Sequence, residues 1–449
     1  MSSLTSRRWL VVLSVLAAIG VIAAVIGVTD YAATRAFSRY DHERQHLSAD
    51  LHAAQLEGYT TRDLASVNEP FQSLQAQPEP ALPMARAQFD DQRAARVSSL
   101  DTELNSLLRQ LLEKARTDAA AQVASARSGI EHDRSLGTEE ADLSALQKRL
   151  DKVAQVQGTA HSLNEYRAAN QLAEALVTDV NSLAAAQQAQ NQAVAQAAEQ
   201  LKGQNGGNLD AVRRAGTDAL AGGRNDTSVA AYMNKSAPFN GFDALNRLYA
   251  RLEKYGQMVA SADPGQSALG AAGAQLIAAQ IHDALLGGLP AKAIVVSYYS
   301  QHLWAYEHGK LVQDTPVTTG RPALPTDLGP MKVLKKDSPW KMHSPWPKGS
   351  PYWYPDTAVK MVVWFTNTGE GLHDADWQRC CWGPGSQYTG NASHGCVHLP
   401  DGAESFIYRW SEVGIPVVVY QGDGSPVNQQ LSRITTDDRG NPLSGPKGV

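Results

Sequence analysis

Residues 9–28 form an unbroken apolar run, preceded by Arg7 and Arg8 and closed by Asp30. About 20 apolar residues suffice for a helix to cross the hydrocarbon core of a bilayer. The paired arginines assign residues 1–8 to the cytoplasmic side, which puts everything after Asp30 outside. A cleaved secretory signal is the rival reading: the run exceeds the usual apolar stretch of about 7–15 residues, yet Ala32 and Ala33 provide small residues for cleavage. With no cysteine following the run, a lipoprotein anchor is excluded.

Over residues 36–203 the pattern turns helical. Val97, Leu100, Leu104, Leu107, Leu108 and Leu111 recur at spacings of three and four, as do Leu143, Leu146, Leu150 and Val153, and then Leu172, Leu176, Val180 and Leu183. Such stripes predict amphipathic helices that pack on each other or on a partner. Pro78 to Pro83, Gly137 and the glycines of 203–207 mark breaks, and Thr138, Glu139 and Glu140 mark a helix start with acids at its positive end. Residues 184–200 hold almost only Ala, Gln, Asn, Val and Glu. This is either a solvated, coiled-coil-like spacer or a docking face for self-association or an envelope partner. Residues 204–289 read as shorter helices and linker, with breaks at Gly222–Gly223 and at Asp263, Pro264 and Gly265.

The character changes at Leu289 and Pro290, where Ala and Gln give way to Trp, Tyr, Val, Pro and Gly. Residues 294–296, 303–306, 311–312, 359–365 and 417–420 predict short strands, and Glu307, His308, Gly309 and Lys310 a hairpin turn. The predicted fold class is α+β and multidomain: an N-terminal transmembrane helix, a long all-α region, a mostly-β domain over 290–421, and a flexible tail over 422–449. The net charge of -5 gives no basic footprint for nucleic acid. The 3 cysteines, Cys380, Cys381 and Cys396, cannot all pair within one chain. Their spacing suggests no metal site. Cys380 and Cys381 are either plain loop thiols or a vicinal disulfide, for which geometry is restrictive.

Candidate chemistry gathers at Ser393-His394-Gly395-Cys396-Val397-His398. A cysteine in a glycine-containing loop is by itself often an incidental thiol. Here His394, His398 and the upstream His373 can each supply the base that a reactive thiolate needs. Gly395 lets backbone amides converge on a developing oxyanion. The segment resembles the SHGC signature of the YkuD-type L,D-transpeptidases. The resemblance extends to Ala293-Ile294-Val295-Val296, to Val317-Thr318-Thr319-Gly320 with Pro325-Thr326-Asp327-Leu328-Gly329, to Gly371-Leu372-His373-Asp374, and to the stretch ending in Pro416-Val417-Val418-Val419, about residues 291–421 in all.

That family implies Cys396 as nucleophile, His373 as base and acid, the Asp374 backbone as its orienter, and the amides of His394, Gly395 and Cys396 as oxyanion hole, with Ser393 in the loop. It also implies acyl transfer on peptidoglycan stem peptides, giving 3→3 cross-links with no metal or organic cofactor. Hydrolysis by the same residues (an L,D-carboxypeptidase) and a non-catalytic envelope scaffold are the alternatives. Two departures stand out. An insertion around 378–384 lengthens the interval between His373 and Cys396, and His398 stands where the family often has Arg or Asn, so substrate preference is expected to differ. Within the aromatic cluster Trp340, Trp346, Tyr352, Trp353 and Tyr354, the last two are candidates, with His398 and Asp374, for substrate contacts. The cluster reads either as packing or as one wall of a peptide groove, and His343 within it has no partner visible in the sequence.

Overall fold

The computed structural model describes residues 4–426, with side chains from Leu13 onward. The chain divides into two compact units, Met1–Ala189 and Gln190–Val449. The first is helical: α1 (Leu4–Leu56), α2 (Ala65–Gln75), α3 (Pro83–Ser135), α4 (Glu140–Gly158) and most of α5 (Leu163–Gln204), within which the division falls. Leu13–Leu56 is long and apolar enough to cross a membrane. Its Leu13, Leu16, Ile19, Ile22, Val25 and Val28 side chains are each more than half exposed, an apolar surface compatible with a single-pass anchor. Beyond Asp30 the same helix turns amphipathic, burying Tyr40, Leu47, Leu51 and Ala54 against Val97, Leu100 and Leu104 of α3.

A second cluster joins Val123, Ala126 and Ile130 to Leu143, Leu150, Ala173, Leu176 and Val180. Leu172, expected in the stripe, is 49% exposed. Ala173 takes the core position instead.

The second unit holds α6 (Leu209–Ser236), α7 (Phe242–Val259), α8 (Pro264–Gly288), eleven strands among the described residues and α9 (Asp401–Trp410). The strands are β1 (Lys292–Ser297), β2 (His302–Glu307), β3 (Lys310–Pro316), β4 (Gly329–Lys332), β5 (Lys335–Asp337), β6 (Trp340–Met342), β7 (Thr357–Val359), β8 (Val362–Trp364), β9 (Gly371–Asp374), β10 (Val397–Leu399) and β11 (Pro416–Tyr420). One sheet runs β3-β2-β1-β11-β4, with β1 parallel to β11, and a second runs β10-β9-β8-β5. The hairpin turn falls as predicted, and His308 and Gly309 both have positive φ, at 49° and 71°, the pairing a tight two-residue hairpin needs.

The central strands are apolar over residues 293–296 and Pro416–Tyr420 because both faces are covered there. Ile294, Val296, Val417 and Val419 face a core shared with Val397, Leu399 and Leu372 of the second sheet and Ile407 of α9. Ala293, Val295, Val418 and Tyr420 face Met233 of α6 and Ile277, Ile281 and Leu285 of α8. Residues 204–289 are thus a helical layer on the catalytic sheet, rather than linker. The expected break at Gly222–Gly223 does not occur. α6 continues through it, and Gly223 serves close packing, since a Cβ there would lie 3.3 Å from the Ala278 Cβ. The predicted strand over 359–365 is also split in two. The Lys360 and Met361 amides donate to Asp374 Oδ1, at 2.7 and 3.1 Å, instead of to a neighbouring strand.

Candidate active site

Two parallel neighbours, β9 and β10, set the site. Their register pairs His373 with His398, and Cys396 is the residue immediately before β10. On the other side of β10 runs the Thr318-Thr319-Gly320 segment. Thr318 and His398 exchange backbone hydrogen bonds of 3.1 and 2.8 Å, and the Ser393 amide donates to the Thr319 carbonyl at 3.1 Å. The loop carrying Cys396 is therefore fixed at both ends by ladder contacts. Inside it, Ser393 Oγ donates to the Cys396 carbonyl at 2.5 Å and accepts from the Gly395 amide at 3.0 Å. Gly395 adopts φ 124°, a region L side chains rarely reach. Its amide, expected to serve an oxyanion, donates to Ser393 Oγ here.

A cavity of about 400 Å³ is bounded by Cys396, His373, His398, His394, Ser393, Tyr354, Trp346, Trp377, Met342 and Arg321, among others. Cys396 is not disulfide-bonded, and its Sγ lies 3.7 Å from the Gly369 carbonyl oxygen. His373 is buried and donates from Nδ1 to the Asp374 carbonyl at 2.7 Å. That bond fixes the neutral tautomer and leaves Nε2 as the basic nitrogen. Burial pulls His373 below the ordinary imidazole range, opposed by the Asp374 carbonyl and carboxylate. His398 sits 4.8 Å away, centroid to centroid. It is held well below that range, by burial first and by proximity to His373 second. Two imidazoles, both held below their ordinary range, thus share one pocket.

Around them, the rings of Trp346 and Tyr354 pack tilted against His394, at 5.5 and 5.0 Å. Tyr354 donates to the His343 carbonyl, and burial, with Cys396 nearby, pushes its phenol up to about 12. The aromatic cluster divides accordingly. Trp346 and Tyr354 form a cavity wall, Tyr352 packs under them with Leu324, and Trp340 packs on Trp364 away from the site. Trp353, a candidate for substrate contact, does not line the cavity; it is 38% exposed, with Lys348 over its ring. Asp374 is likewise turned away, its carboxylate spent on the Lys360 and Met361 amides. His343 pairs with Asp356 at 2.9 Å on the surface.

Sequence reasoning missed Arg321 and Trp377. Arg321 lines the cavity and donates to the Ser393 and Ala392 carbonyls at 3.2 and 2.8 Å, clamping the loop before the nucleophile. Its one signal was adjacency to Thr318-Thr319-Gly320. Trp377 stands edge-on to His398 at 5.3 Å, and its position four residues after His373 gave no clue. Cys380 and Cys381, in the insertion, are joined to each other, so neither thiol is offered to the cavity.

This geometry gathers a thiol and three imidazoles around one cavity on a two-sheet scaffold. Residues 291–419 match the YkuD family, described as the L,D-transpeptidase catalytic domain, and this part of the chain is a YkuD-type catalytic domain. The probable L,D-transpeptidase 3 of Mycobacterium tuberculosis is 32% identical over 109 residues, a stretch covering 24% of this chain and 38% of that protein. Among solved structures, the catalytic domain of the Enterococcus faecium L,D-transpeptidase is 30% identical, covering 29% of this chain and 96% of that one at a TM-score of 0.26. The Mycobacterium smegmatis L,D-transpeptidase is 27% identical, covering 29% and 58%, also at 0.26.

Proposed function

We propose that this chain is a membrane-anchored peptidoglycan L,D-transpeptidase that forms 3→3 cross-links through a Cys396 thioester. The observation that carries the reading is the convergence of Cys396 and a tautomer-fixed His373 on one walled cavity. His373 Nε2 takes the thiol proton and the sulfur attacks the carbonyl preceding the terminal D-residue of a donor tetrapeptide. As the tetrahedral intermediate collapses, the C–N bond breaks and the imidazolium returns its proton to the leaving amine. The side-chain amine of a second stem then attacks the thioester, its proton passes to His373, and the thiol is regenerated. The N-terminal apolar helix holds the chain at the membrane, with the catalytic domain on the extracytoplasmic side, where stem peptides are found.

Incubation with defined muropeptides followed by peptide mass spectrometry tests this. The expected result is a tripeptidyl adduct on the Cys396 peptide and a 3→3 dimer as product, both lost in Cys396→Ala and retained in Cys380→Ser and Cys381→Ser. An adduct on Cys380 or Cys381, or a product formed without any adduct, would overturn the reading.

A further inference from the structure

The cavity beside Cys396 is walled by aromatic and apolar side chains such as Trp346, Trp377 and Met342, and no aspartate or glutamate is among the described residues that line it. Its one permanently charged wall residue is Arg321, since an arginine keeps its proton at every physiological pH. The guanidinium lies against the loop that carries Cys396. Nε donates to the Ser393 carbonyl at 3.2 Å and Nη2 to the Ala392 carbonyl at 2.8 Å, and both acceptor residues line the cavity. Two of its five N–H groups are thereby used. Nη1 makes no hydrogen bond among the described residues and is not one of the buried atoms left without a partner, so solvent reaches it. The loop carbonyls solvate the cation without neutralising it. Burial disfavours its charge, and no carboxylate of the described residues offsets this. The remaining edge of the planar fork, Nη1 with the second N–H of Nη2, has the spacing of the two oxygens of a carboxylate.

We propose that Arg321 is a specificity-determining residue that binds a carboxylate of the stem peptide through this open edge, while its other edge holds the loop. The proposal rests on the transpeptidase reading and names the charge its pocket selects. A partly desolvated cation favours a ligand that neutralises it over one of equal size that does not.

The carboxylate belongs either to the donor stem or to the acceptor stem, and amidation distinguishes the two, because it removes the charge and keeps the size. The full chain, in detergent, is assayed with donor and acceptor stems amidated at one carboxylate at a time, in wild type, Arg321→Gln and Arg321→Lys. One amidation is expected to raise the wild-type KM about tenfold or more, the scale of losing a charge-assisted hydrogen-bonded pair, with a smaller change in kcat. The same amidation should leave the KM of Arg321→Gln nearly unchanged and raise that of Arg321→Lys by less than in wild type. If the carboxylate lies in the donor, the effect appears in thioester formation; if in the acceptor, in thioester consumption. An Arg321 that only braced the loop would slow both variants by the same factor with charged and amidated stems, and that result overturns the proposal while leaving transpeptidation intact. Should Arg321→Gln not fold, as read by circular dichroism, Arg321→Lys carries the comparison, and a wild-type KM that no amidation raises overturns the proposal without any variant. Absence of any wild-type thioester with stem peptides overturns the underlying reading and the proposal together.

Discussion

The His373 imidazole carries its proton on Nδ1 because the Asp374 carbonyl accepts it, and burial lowers its affinity for a second proton. Its basic form therefore persists at pH values below the ordinary imidazole range of about 6.5. Thioester formation should stay level as pH falls past 6.5 and decline only as pH passes through the lowered value. A rate profile already halved at pH 6.5 would contradict this. His373→Ala should slow acylation by about two orders of magnitude or more, the scale of losing a general base, read by pre-steady-state kinetics. Near-normal acylation in that variant with collapse in His398→Ala would move the base to His398. At this scale the sequence was informative wherever chemistry lies in a contiguous motif. Ser393, His394, Gly395 and Cys396 are adjacent in the chain, and their loop is braced by its own atoms. Arg321 reaches the loop from 71 and 72 residues away. No local pattern reports a contact made by long-range strand pairing.

Among the elements, α9 and α8 carry testable consequences. Glu404 on α9 is buried, and neither carboxyl oxygen has a hydrogen-bond partner among the described residues. Burial, reinforced by Asp374 and Asp401, raises it to about 8. Between the unfolded carboxyl value of about 4.3 and that raised value, the native state holds a proton that the unfolded state has released, so stability falls as pH rises. Glu404→Gln, which stays neutral, should raise Tm at pH 8 and change it little at pH 5. Equal shifts at both would sink the argument. For α8, Ile281 is fully buried against the sheet. Ile281→Ala should cost about 2–5 kcal/mol by denaturant unfolding of the catalytic unit, whereas a linker position would be nearly neutral. The sequence foretold short helices over residues 204–289, with a break at Gly222–Gly223 that α6 does not have. It could not foretell what they cover, because a stripe names a buried face and not its counterpart.

At the scale of the whole molecule, deletion of residues 1–30 should move the chain from the membrane fraction to the soluble fraction on centrifugation. Continued sedimentation in detergent-free buffer would indicate another attachment. The apolar run was legible because length and composition suffice for it, and the change of character near residue 290 because strand residues replace helix residues. The join between β1 and β11 was not legible. In it Ile294 lies beside Val417, partners 123 residues apart in the chain. Pairing at that separation carries a large loop-closure entropy and forms slowly. The central sheet therefore stays incomplete until the last strand has joined it. Until then the core behind Cys396 is open, since Val397 shares it with Val417 and Val419. The order of events along the polypeptide thus makes the Cys396 loop wait on the last strand for its support.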